Sequence, residues 1–85
     1  MALMHLGRAR LAMVLPRHPK QLRETRDDSL FDLFEGYALA SSKLDDLLRE
    51  VPRQEDLLTE YQETCADLQV EVVALLTLLN ERVFR

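Results

Sequence analysis

From Leu30 onward, apolar side chains return at alternating intervals of four and three residues: Leu30, Phe34, Tyr37, Leu44, Leu48 and Val51, with Ser41 filling the one gap. Such spacing lines one side of an α-helix, whereas a strand would repeat every second residue. Leu33, Ala40 and Leu47 widen the stripe into a core-facing band. The pattern predicts a helix over residues 29–50. A capping box, Ser29-Leu30-Phe31-Asp32, starts it, and Asp27 and Asp28 lie at the positive end of its dipole. Pro52 ends it, because the residue before a proline is pushed out of the α region. Pro also suits the first turn of a helix, so a second one is predicted over residues 52–83. Its stripe is Leu58, Tyr61, Cys65, Leu68, Val72, Leu75 and Leu79. The fold class read from these patterns is all-α: an antiparallel two-helix hairpin with a short helix near Ala2–Leu15. One long helix kinked at Pro52, with another chain as its partner, is the alternative.

The two long helices differ in length, about 33 Å against about 48 Å at 1.5 Å per residue. In a hairpin turning at Pro52, Leu75 to Phe84 run past the first helix, and that end is the most apolar part of the chain. It gains a second stripe from Ala66, Val70, Val73, Thr77 and Phe84. A helix apolar on two sides must be covered on two sides. The helix near Ala2–Leu15, a second copy, or both together supply that cover. The expectation is a dimeric helical bundle, a homodimer with coiled-coil character, whose interface takes in Val70, Val73, Leu75, Leu76, Leu79, Val83 and Phe84.

Charge divides the chain at the same place as the prolines. Residues 1–26 carry six Lys or Arg against Glu24 alone, a formal +5, while residues 27–85 carry five cations against fourteen acids, a formal −9. Pro16 and Pro19 interrupt the helix between the two regions. The organisation predicted is a basic N-terminal helix and arm, 1–26, followed by the helical hairpin, 27–85. The arm holds Arg8, Arg10, Arg17, Lys20, Arg23 and Arg26. An acidic ridge, Asp56, Glu60, Glu63, Asp67 and Glu71, runs along the second long helix. The first reading of the ridge is a solvated face, and of the Ala2–Leu15 helix a third helix packed on the bundle with its cations in water. Opposite charge further predicts that the arm docks on this ridge, at least transiently, within the subunit or across the dimer, and loosens as salt rises.

Candidate chemistry narrows the classes. The histidines, His5 and His18, are not set as Glu-x-x-His, so a carboxylate-bridged metal bundle is not indicated. Cys65 is the single cysteine, with no second Cys and no neighbouring His to form a zinc site or an activated thiolate. Gly7 and Gly36 stand alone, outside any phosphate-binding loop. Residues 1–15 mix arginines into the apolar run and make a poor secretory signal. A lone thiol suits a reducing compartment, and the expectation is a cytoplasmic protein. No catalytic, cofactor or metal residue is predicted. The function expected is a non-enzymatic protein–protein interaction or assembly module with itself and an unidentified protein as partners. The alternative is a binding protein whose basic arm contacts an anionic surface. Lipid headgroups and nucleic acid are the less favoured partners, because the arm lacks an aromatic for base stacking.

Overall fold

Among the described residues the chain forms four α-helices and no strand: α1 (Ala2–Val14), α2 (Pro19–Glu24), α3 (Asp28–Arg49) and α4 (Glu55–Val83). This is a computed structural model, describing the backbone of residues 2–83 and the side chains of residues 3–80. The molecule is elongated, 52 × 22 × 20 Å.

The start of α3 differs from the expected capping box. Asp27, in extended backbone at φ −77°, is the N-cap, and its carboxylate accepts from the Leu30 amide at 3.1 Å. Ser29 therefore lies inside the first turn. A carboxylate at the N-cap meets both the orphan amide and the positive end of the dipole, which a hydroxyl meets less well. At the other end, Pro52 lies in the break between α3 and α4, and α4 begins at Glu55 instead of at the proline. The segment after Pro16, where the prolines interrupt helix continuity, contains the short helix α2. Pro19 opens it at the first helical position, where its missing N–H costs nothing.

One core joins all four helices: Leu11 from α1, Leu22 from α2, Leu30, Phe34, Tyr37 and Ala40 from α3, and Cys65, Val72 and Leu76 from α4. The α4 stripe is where the periodicity placed it. The α3 stripe drifts: Leu47 is fully buried while Leu48 is exposed, and Val51 lies outside the helix. A straight helix turns 3.6 residues per turn, so a strict four-three stripe slides off the contact line within a few turns. Ala38 is also fully buried, because α3 packs against α1 as well as α4.

The approach of α1 to α3 is set by Gly7. A Cβ built there would overlap the Phe34 carbonyl oxygen and lie 2.6 Å from its carbon. Only a residue without a side chain lets the two backbones come this close. α3 and α4 meet along Tyr37 and Gln69, whose amide donates to the Tyr37 hydroxyl at 2.9 Å, and α2 lies beside Leu76, Leu79 and Asn80 of α4. An open hollow lies between α2 and this end of α4, and Leu22 of α2 joins the core that buries Leu76.

Candidate interaction surfaces

The six cations of residues 1–26 split into two groups. Arg8 and Arg10 turn inward from α1. The Arg8 guanidinium lies over the rings of Phe31 and Phe34, 5.5 and 5.4 Å from their centres. It also donates to the Thr25 carbonyl at 3.4 Å, while its Nε is buried without a partner. Face-on cation–π contact compensates part of that desolvation. Arg10 donates to Ser41 Oγ at 2.7 Å and pairs with Asp45 at 3.3 Å, both on α3. Arg17, Lys20, Arg23 and Arg26 stay exposed in and around α2.

Within the subunit, then, the expected docking of the arm on the acidic ridge is not what is found. α1 packs on α3, and the ion pair it makes is with Asp45. Asp56, Glu60, Glu63, Asp67 and Glu71 are all exposed. The reason is apolar: Leu11 and the close approach at Gly7 seat α1 against α3, and the arginines take the polar partners found there. Exposed charges alone supply too little to overrule such packing.

With its arginines turned inward, α1 presents Leu3, Leu6, Met13 and Val14 outward, Met13 at 83% exposure. The outward side of α4 changes character along its length. It is acidic from Asp56 to Asp67, then apolar at Val70, which is 68% exposed, at Ala74, and at Leu78. Two open grooves flank this apolar stretch. Leu15, Ala66, Gln69, Val70 and Val73 line one; Leu33, Glu71, Ala74, Leu75 and Leu78 line the other.

Not every residue expected at an interface is free for one. Leu76 is 2% exposed and belongs to the chain's own core, and Leu75 and Leu79 are half-buried against that core. The periodicity could not separate them, because the end of α4 is apolar on more than one side and only its packing on α3, with Leu22 of α2 in the same core, decides which side is taken. Val70 and Val73 remain at the surface, exposed and half-exposed respectively. The side chains of Val83 and Phe84 lie outside the described residues.

Chemically the surface is bland. Among the described residues no three His, Cys, Asp or Glu side chains gather into a group that would hold a metal ion, and no helix is long and apolar enough to cross a membrane. His5 is exposed on α1, and His18 Nδ1 shares a hydrogen bond with Gln21 at the start of α2. Cys65 is buried, and burial pushes its thiol above the ordinary value; the Asp45 carboxylate adds to the rise and Arg10 opposes it. A thiol so placed is a poor nucleophile. No family model, curated protein or solved structure matches the chain.

Proposed function

We propose that the protein is a non-enzymatic interaction module that works through helix surfaces as a homodimer, with α3 and α4 as an antiparallel hairpin on which α1 is seated. The observation that carries this reading is the apolar surface left on α4, where Val70 and Leu78 stand 68% and 46% exposed in a domain of only 85 residues. Covering such surface is worth about 25 cal/mol per Å². Met13 and Leu6 on α1 offer a second apolar face, for a protein partner. The single buried thiol fits a reducing compartment, and the cytoplasm is the location proposed.

A second reading keeps some support from Arg17, Lys20, Arg23 and Arg26, which are exposed and within ten residues of one another. They suit an anionic surface. The inward turn of Arg8 and Arg10 counts against it, since α1 then meets a membrane or nucleic acid without its cations. Sedimentation equilibrium at micromolar concentration tests the first reading, which requires a dimer. Binding to anionic vesicles or duplex DNA at physiological salt, by a chain that stays monomeric, would replace it with the second.

A further inference from the structure

α4 carries two four-three seams on opposite sides. One, through Leu58, Cys65 and Val72, is buried in the chain's own core. The other runs through Ala66, Val70, Val73 and Thr77. Ala66, Val70 and Thr77 are exposed and Val73 is half-exposed. Ala66, Gln69, Val70 and Val73 stand at i, i+3, i+4 and i+7, and with Leu15 they line an open hollow of about 390 Å³. Four residues at those spacings form the hole that receives a knob from a facing helix in coiled-coil packing. Thr77 fits such a seam, because its hydroxyl donates to the Val73 carbonyl at 2.8 Å and leaves its methyl for a neighbour.

We propose that the occupant is α4 of a second copy, running antiparallel and centred between Val70 and Val73. Each Val70 then faces the partner's Val73, and each Ala66 the partner's Thr77. This rests on the homodimeric reading above and adds the surface and the orientation. Charge selects the direction. A parallel pair would set Glu63 against its own copy and the acidic ridge beside itself. The antiparallel pair sets Glu63 opposite Asn80 and Asp67 opposite Leu76, so that these two acids of the ridge lie beside residues 73–80, which hold no acid. That stretch is flanked by the basic segment: Arg17 adjoins Val73, and α2 lies along Leu76 to Asn80. Along a single α4, Glu60 and Asn80 are about 30 Å apart at 1.5 Å per residue. With screening over about 8 Å, Asp56, Glu60 and Glu63 are too far from the basic segment to attract it within one chain, and a second copy brings Glu63 to the end of α4 that this segment flanks.

Two variants in the full chain test this. Val70→Glu leaves the single subunit folded, since the side chain is exposed there, so circular dichroism should be unchanged. Its dimer should dissociate with a constant raised about a hundredfold, because the pairing buries the new carboxylate. In a Cys65→Ser background, Val70→Cys mixed with Val73→Cys should form a disulfide-linked heterodimer several-fold faster under mild oxidation than either variant alone. A wild-type chain that is monomeric at every concentration removes the homodimeric reading and the inference together. A dimer that Val70→Glu leaves intact, or that cross-links through Val70→Cys alone as fast as through the mixture, keeps the homodimer and overturns this seam or its direction.

Discussion

Replacing each of the two glycines by alanine should move stability in opposite directions. Both lie inside helices, where alanine is better than glycine by about 1 kcal/mol for want of backbone entropy to lose. At Gly36 a new Cβ would find its nearest neighbour, Leu68 Cδ2, at 4.0 Å, an ordinary contact. Gly36→Ala should therefore stabilise by about 0.5–1 kcal/mol. At Gly7 the same Cβ would lie 2.6 Å from the Phe34 carbonyl carbon and 3.0 Å from its Cα. Carbon atoms rest about 3.5–4.0 Å apart, so α1 must retreat by about 1 Å, and the obstacle is backbone that cannot rotate aside. The retreat loosens fully buried Leu11, the Arg8 stack on Phe31 and Phe34, and the Arg10–Asp45 pair together. Overpacking of this kind costs about 1–3 kcal/mol, and the added loss of Leu11 packing brings the net to about 2 kcal/mol after the helix gain is deducted. For a domain of this size each kcal/mol moves Tm by about 4–8 °C. Thermal and urea unfolding should show Gly36→Ala melting above wild type and Gly7→Ala melting about 10 °C below it. Hydrogen exchange should quicken in α1 more than in α4 for Gly7→Ala. If both variants stabilise, α1 does not lie against α3 as described.

Asp27→Ala should cost about 1 kcal/mol by removing the α3 cap, whereas Ser29→Ala should be nearly neutral in urea titration; the reverse order would restore the capping box at Ser29. Arg10→Ala should cost about 1 kcal/mol or less, because Arg10 and Asp45 are partly exposed, 31% and 48%, and exposed pairs are worth little. Leu76→Ala should cost about 2–4 kcal/mol and Val70→Ala well under 1, which separates the core seam of α4 from its outer seam. Cys65 should resist alkylation until the chain unfolds. Its thiol is held above the ordinary value, so the unfolded chain gives up this proton first as pH rises. The thiol's contribution to stability should be full below the unfolded value of about 9.0 and be lost as pH rises above it; removal of that alkaline fall by Cys65→Ala would identify the thiol as its source.

Much of the architecture was legible before any coordinate. The four-three spacing from Leu30 and from Leu58 marks two long amphipathic helices, because only a 3.6-residue turn brings such positions to one side. Proline at 16, 19 and 52 marks where those helices cannot continue. The charge split and the surplus of apolar residues near the end of α4 are properties of composition and order, and they needed no third dimension. What the tertiary structure decided is which surplus is covered. Leu76 and Val70 look alike in the sequence, yet one is 2% and the other 68% exposed, because α3, with Leu22 of α2 joining the same core, takes one flank of α4 and leaves the other. That a third helix packs on the bundle was legible, but its face and the inward turn of Arg8 and Arg10 were not. Coulomb attraction pointed Arg8 and Arg10 toward the acidic ridge, but their positions follow from Gly7, whose missing side chain lets α1 settle onto Phe34. Helical periodicity is local and can be read one residue after another; the close approach of two backbones belongs to a pair of residues 27 positions apart, and only the folded chain brings that pair together.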